Sequence, residues 1–220
     1  MKSHHLQTNS QEPKIKLPKK LLIGTGNQGK FAEISELLVD QFDIELFSTK
    51  ELDLTEPEEN GVTFIENALI KARYYGDKTN LPTLTDDSGL CIEALNGRPG
   101  IHSARFAFDP LTNKANFPMA FVKIAKELKD KGLNPEKDII PAKFVCALSF
   151  YNPDDGTEIS VEGIIDGRIQ MPAKGQNGFG YDPIFIKSGM KKTFGEIDQK
   201  LKDSISHRAQ AFEKLISRFF

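Results

Sequence analysis

Two adjacent carboxylates and a hydroxyl stand at Asp86-Asp87-Ser88, between the β-prone residues Pro82-Thr83-Leu84 and Gly89. Neighbouring acids repel and are costly to bury, so the pair makes chemical sense where a hard cation shares the charge, as carboxylate oxygens do for Mg²⁺. The competing reading is turn chemistry, with Asp capping its own backbone and Gly taking a left-handed conformation. Cys91 to Leu95 leads away from the stretch, which puts the acids at a hairpin or strand junction.

A second segment is built for anions. Leu21-Leu22-Ile23 has the pattern of a short buried strand, Gly24-Thr25-Gly26-Asn27-Gln28-Gly29-Lys30 follows it, and Phe31, Ile34, Leu37 and Leu38 then recur at helical spacing. A strand, a glycine loop and a helix leave backbone N–H groups and a helix dipole facing an anion, so Lys30 and its loop point to phosphate. Gly24, Gly26 and Gly29 also match the dinucleotide pattern G-x-G-x-x-G, with Asp43 or Glu45 at about the expected 20 residues beyond. Gly24, Gly29 and Lys30 match a P-loop, but Phe31 stands where Ser or Thr would hold Mg²⁺. A tight turn that uses glycine for packing alone is the remaining alternative.

Further along, Asp53 to Gly61 is an acidic loop carrying Glu56, Glu58 and Glu59, ordinarily the mark of a solvated face. Thr63-Phe64-Ile65-Glu66 has the form of a capping box and predicts a helix to about Gly76. An acid held just before an anchored helix is well placed, which makes Glu59 a candidate second carboxylate for the cation. Ser103-Ala104-Arg105 offers another cation to a nearby cleft. Gly178-Phe179-Gly180-Tyr181-Asp182 carries two aromatics and an acid in a glycine-rich loop; aromatic faces suit stacking on a planar base, and a carboxylate accepts from ring N–H groups. A loop whose aromatics simply plug the core is the alternative. Near the end, Ser206 is a plausible N-cap that puts His207 and Arg208 in a first helical turn, where cations oppose the dipole. Such placement hints at hydrogen-bond donation to a ligand oxygen.

The elements that must position these groups are legible in outline. Ile44 to Phe47 reads as a strand, Phe117, Phe121, Ile124 and Leu128 as one face of a helix, and Lys143 to Tyr151 with Glu158 to Ile165 as a long hairpin of architectural role. At 220 residues the chain suits one domain with two lobes and a cleft. Hydrophobic residues at 39% and charged residues at 27% are globular values, and no apolar run reaches the roughly 20 residues of a membrane span. A net charge of -2 argues against a sequence-blind grip on nucleic acid. Cys91 and Cys146 sit in apolar runs without metal spacing and are expected to be buried free thiols, which with the lack of a targeting pattern points to the cytoplasm. Met1 to Lys20 is polar and reads as a flexible tail ahead of a single domain over residues 21–220.

Taken in order, these segments resemble the inosine triphosphate pyrophosphatase family, whose members hydrolyse non-standard purine nucleoside triphosphates (ITP, dITP, XTP). The resemblance runs from about Leu21 to the C-terminus. It rests on Thr25-Gly26-Asn27-Gln28-Gly29-Lys30, Thr63-Phe64-Ile65-Glu66-Asn67-Ala68, Asp86-Asp87-Ser88-Gly89, Ser103-Ala104-Arg105, Gly178-Phe179-Gly180-Tyr181-Asp182-Pro183 and Ser206-His207-Arg208. It implies an α/β fold of two lobes around a long curved mixed β-sheet with a central substrate cleft, and a homodimer. It further implies that Thr25 to Lys30 hold the triphosphate with help from Lys202, that Asp87 is the proton acceptor, and that Glu59 and Asp87 hold Mg²⁺. Ser88 would touch substrate, and Phe179, Gly180, Tyr181 and Asp182 with His207 and Arg208 would form a pocket for a 6-oxo purine. His102 departs from the aromatic many relatives carry before Ser-Ala-Arg, and Asp109 to Pro118 fits the pattern poorly. A non-catalytic nucleotide sensor and a dinucleotide-dependent oxidoreductase are the rival functions.

Overall fold

The computed structural model describes residues 16–39 and 41–219, so most of the expected tail, Met1 to Lys20, lies outside the described residues. In chain order the elements are β1 (Lys20–Ile23), α1 (Gln28–Val39), β2 (Glu45–Ser48), α2 (Phe64–Thr79) and β3 (Thr83–Ile92). They continue with the one-turn helix α3 (Ser103–Phe106), the short strands β4 (Phe108–Asp109) and β5 (Lys114–Ala115), and α4 (Phe117–Asp130). The chain then forms β6 (Ile140–Asn152), β7 (Thr157–Ile169), β8 (Phe185–Lys187), α5 (Gln199–Ile205) and α6 (His207–Ile216).

Six strands make one curled sheet in the order β2-β1-β3-β6-β7-β8. β1 runs parallel to β2 and β3, whereas β3, β6, β7 and β8 pair antiparallel. The sheet is therefore mixed, as expected, and lacks the all-parallel double winding on which a dinucleotide-binding Gly-x-Gly-x-x-Gly loop depends. That removes the oxidoreductase reading.

The β6–β7 hairpin pairs thirteen residues on each strand and outreaches the expected limits at both ends. Its length lets one hairpin serve two cores. Phe144 packs in a cluster with Ile124, Leu128 and Phe185, while Leu148 and Phe150 join Ile34, Leu38, Phe212 and Leu215 in another. These two cores are the two lobes. Cys91 and Cys146 are buried free thiols, as their apolar runs implied.

One expectation fails. Thr83–Ile92 is a continuous ten-residue strand, paired residue for residue with Ala142–Tyr151, so Asp86-Asp87-Ser88-Gly89 is neither a turn nor a junction. Gly89 is there for close approach: an added Cβ would collide with the Gly100 carbonyl and Ser103. The Ser103 hydroxyl accepts from Leu90 N–H at 3.0 Å and donates to Gly100 O at 2.6 Å, fastening the loop before α3 onto the strand. Tertiary packing thus overrides a local turn preference.

Candidate active site

A cleft of about 440 Å³ lies between the lobes and gathers residues from nearly every segment singled out in the sequence. Thr25, Asn27 and Lys30 reach it from the glycine loop, Glu56, Glu58 and Glu59 from the acidic loop, and Asp87 and Ser88 from β3. Phe179, Gly180, Tyr181 and Asp182 line it with Lys202, His207 and Arg208, and Arg105 stands at its edge. Gly26, Gln28 and Gly29 shape the loop without lining the cleft.

The glycine loop is organised by its own side chains. Thr25 Oγ1 accepts from Asn27 N–H at 3.2 Å, and Asn27 Oδ1 accepts from Lys30 N–H at 3.1 Å, capping α1. Gly24 is a packing glycine, since a Cβ would come within 2.6 Å of Thr85 and Tyr75. At Gly29 a Cβ would meet the Phe179 ring at 2.8 Å, so this glycine lets the aromatic loop close against the anion loop. Both glycines thus serve close packing. Gly26 N–H, exposed, donates to Glu56 Oε1 at 3.2 Å.

Successive residues of a strand face opposite sides of the sheet, and this separates the two acids. Asp86, fully buried, points toward α1 and α6, where Oδ2 meets Lys30 Nζ at 3.1 Å and Arg208 Nη2 at 3.1 Å and accepts from Ser88 Oγ at 3.0 Å. Burial works against its charge, but Lys30, Arg208 and Lys71 prevail and hold the carboxyl well below the usual range. Asp87 points toward α2. Burial lifts its pKa, with Glu59 and Asp86 adding to the rise and Lys71 and Lys30 opposing it. The expected sharing of one cation by both acids is therefore corrected: Asp86 is neutralised by basic side chains, and Asp87 faces the acidic loop instead.

Lys71, from α2, sits between Asp87 and Glu59. It is 8% exposed and its Nζ lies 2.6 Å from Glu59 Oε1. Burial alone would lower its pKa, but Asp87, Asp86 and Glu59 raise it. Arg105 donates to the Glu59 carbonyl at 3.3 Å, tying the acidic loop to α3.

At the other end of the cleft the cations are spoken for. Lys202 Nζ lies 2.6 Å from Asp182 Oδ2, 2.8 Å from Glu33 Oε1 and 4.4 Å from the centroid of the Phe179 ring. This groups Lys202 with the aromatic loop rather than with the glycine loop it was expected to assist. Asp182 also accepts from Phe179 N–H at 2.8 Å, so its Oδ2 is committed within the protein. Arg208 pairs with Glu33 as well as Asp86. Burial would raise the Glu33 pKa, but Arg208 and Lys202 outweigh it and keep the carboxylate ionised. Tyr181 donates its hydroxyl to Ser103 O at 2.8 Å and packs edge-on against Phe117.

Ser206 caps α6 by accepting from Ala209 N–H at 3.1 Å, so His207 and Arg208 do occupy the first turn. The electrostatic cost there is smaller than two cations would incur. Burial, Arg208 and Lys202 lower the His207 pKa well below its ordinary value, leaving it neutral at pH 7, and Glu33 and Asp86 balance Arg208. His207 stacks on Phe144, with centroids 4.8 Å apart, and its buried Nδ1 has no hydrogen-bond partner among the described residues. Phe144 lines the cleft, so the hairpin is more than architecture.

Sequence reading gave no role in the site to Glu33, Asn67, Lys71 and Phe144. For the first three a signal existed: each is a polar residue on the apolar face of its helix, beside Ile34, Ala68 and Ala72 respectively. A buried charge on such a face needs a partner across the fold.

A model of the Ham1 family matches residues 21–218, including the segment from Asp109 to Pro118 that fitted poorly. The chain is 45% identical to the dITP/XTP pyrophosphatase of Zymomonas mobilis subsp. mobilis, over 96% of this chain and 97% of that relative. It is 43% identical to the dITP/XTP pyrophosphatase of Caulobacter vibrioides, over 91% of this chain and 98% of that one. Of solved structures, a HAM1 protein from Coxiella burnetii aligns with a TM-score of 0.78 at 36% identity, covering 90% of this chain and 96% of its own.

Proposed function

The chain belongs to the Ham1 family, and from that premise we propose that it is a nucleoside triphosphate pyrophosphatase acting on ITP, dITP and XTP. Water attacks the α-phosphorus, the bond to the bridging oxygen of the β-phosphate breaks, and the products are a nucleoside monophosphate and pyrophosphate. The observation that carries this reading is that Lys30, Asp87 and the aromatic loop line one cleft. A single nucleotide spans all three.

Asp87 accepts the proton of the attacking water. Its raised pKa suits that task, because a carboxylate with more basic character is the better proton acceptor at neutral pH. Lys30 neutralises charge that develops on the phosphates, and the Thr25 to Lys30 loop at the start of α1 holds their oxygens. Ser88 touches the substrate from the same strand. Among the described residues no three His, Cys, Asp or Glu side chains form a metal cage. Mg²⁺ rarely uses one; one or two carboxylates with phosphate oxygens and water complete its shell, and Glu59 and Asp87 on the cleft fit that donor set. When bound, the ion supplies charge neutralisation at the phosphates.

The base enters beside Phe179 and Tyr181. His207 and Arg208 donate to a 6-oxo group; the 6-amino group of ATP would leave such donors unpaired at about 1–3 kcal/mol each. Residues 21–220 act as one domain, as a homodimer in the cytoplasm. Among the described residues no helix is long and apolar enough to cross a membrane.

Incubating the protein with Mg²⁺ and ITP, XTP, GTP or ATP, and identifying the phosphate released, tests the assignment. Pyrophosphate from ITP or XTP is expected. Orthophosphate would mean a different cleavage, and tight binding without turnover would make the chain a nucleotide sensor.

A further inference from the structure

Asn67 is completely buried on α2, and its amide is used at both ends. Oδ1 accepts from Gly61 N–H at 2.8 Å, and Nδ2 donates to Asp87 Oδ2 at 3.2 Å. The amide has one orientation. Turned over, it would set an oxygen against a carboxylate and an N–H against an N–H, losing both bonds. Gly61 closes the acidic loop, and a Cβ there would come within 2.7 Å of Asn67 Oδ1. The next two residues are fixed by the same helical turn: Val62 N–H donates to Glu66 Oε2 at 2.7 Å, and Thr63 caps Glu66 N–H at 3.1 Å. The expected capping box is thus displaced by one residue, its return bond reaching Val62 instead of Thr63.

We propose that Asn67 is a positioning residue for the reaction, holding the Asp87 carboxylate and the end of the Glu56–Glu59 loop in fixed relation across the cleft. This deepens the function proposed above and rests on it. No other residue type does the same work at this place. Aspartate keeps the acceptor for Gly61 but presents a second carboxylate to Asp87. Leucine matches the volume and serves neither partner, and glutamine adds a methylene in a site with no room. The Asn67 side chain spends its hydrogen bonds on Gly61 and Asp87, so its loss should spare ground-state binding of the nucleotide and damage the chemical step. Outer-shell partners of this kind are typically worth about 10- to 100-fold in activity.

The test compares wild type, Asn67→Asp and Asn67→Leu in steady-state hydrolysis of ITP with Mg²⁺, in calorimetric binding of IMP without metal, and in thermal melting. Both variants should lose about 10- to 100-fold in kcat, with KM for ITP and affinity for IMP essentially unchanged. If Asn67→Leu fails to fold, Asn67→Asp decides alone, because it retains the acceptor that Gly61 needs. An unchanged kcat in Asn67→Asp overturns the proposal. So does a parallel loss of kcat and IMP affinity, which would mark Asn67 as a general structural support. No pyrophosphate from wild type would overturn the function itself.

Discussion

On the side of β3 that faces α1 and α6, Asp86 meets Lys30 and Arg208, and its charge is more than compensated. On the side that faces α2, Asp87 meets Lys71 through space and Asn67 through a hydrogen bond, while Glu59 adds a like charge. The two carboxyls are neighbours in the chain, yet one is held far below its ordinary pKa and the other is lifted above it. Strand alternation explains the split. A pleated strand sends consecutive side chains to different layers, so a pair of acids can supply one group to structure and one to chemistry. The Asp86 side is a closed set of ion pairs that fixes the cations of both ends of the cleft, and the Asp87 side keeps reactive capacity.

Exchanging each acid for its amide separates the two roles. Asp87→Asn removes the proton acceptor and should lower kcat for ITP by about 10²- to 10⁴-fold. Its stability in urea should stay near that of wild type, because burial already disfavours the ionised form that is removed. An active Asp87→Asn variant would break the comparison at once.

Asp86→Asn takes the anion away from buried Arg208 and half-buried Lys30. Removing one partner from such a set costs about 3–5 kcal/mol, since Arg208 is left with Glu33 alone and Lys30 loses its ion pair. Urea unfolding should show that loss directly. If Asp86→Asn is as stable as wild type and Asp87→Asn is not, the assignment of the two faces is reversed.

The elements were legible in the sequence wherever the cause was local. Glycines between an apolar strand and an amphipathic helix, the Thr63 and Ser206 N-caps and the alternating hairpin all act over a few residues; each is present, though the hairpin runs longer than expected and the return bond of the capping box reaches Val62. The order of short motifs added which segments share a cleft. The strand at Asp86-Asp87-Ser88-Gly89 was not legible, because Asp-Ser-Gly has strong turn chemistry and only pairing with β6 and the approach of Ser103 favour extension. Neither were the ion pairs of Arg208 with Asp86 and of Lys202 with Glu33, which join residues 122 and 169 positions apart. A local trace was the charge of Glu33 at a core position of α1, and reading only the apolar residues of that helix discards it.

Asp203 on α5 sharpens the contrast, because it shares the rise seen at Asp87 without lining the cleft. Burial, then the charge of Glu33, pushes its pKa up to about 6 from 3.8. Below about pH 4 the group is protonated in both the folded and unfolded states and favours neither. As pH rises toward 6 the unfolded chain ionises freely while the folded chain resists, so this group withdraws stability through that window, and the cost is constant above it. The group is only part-buried, so solvent screening keeps the cost at about 1 kcal/mol or less. Asp203→Asn retains an oxygen for Gln199 Nε2 and should therefore match wild type near pH 4, gain slightly in urea unfolding at pH 7 and leave kcat unaltered. A variant that gained stability at pH 4 instead, or lost turnover, would show that a lifted carboxyl on this fold is not by itself a separable electrostatic cost.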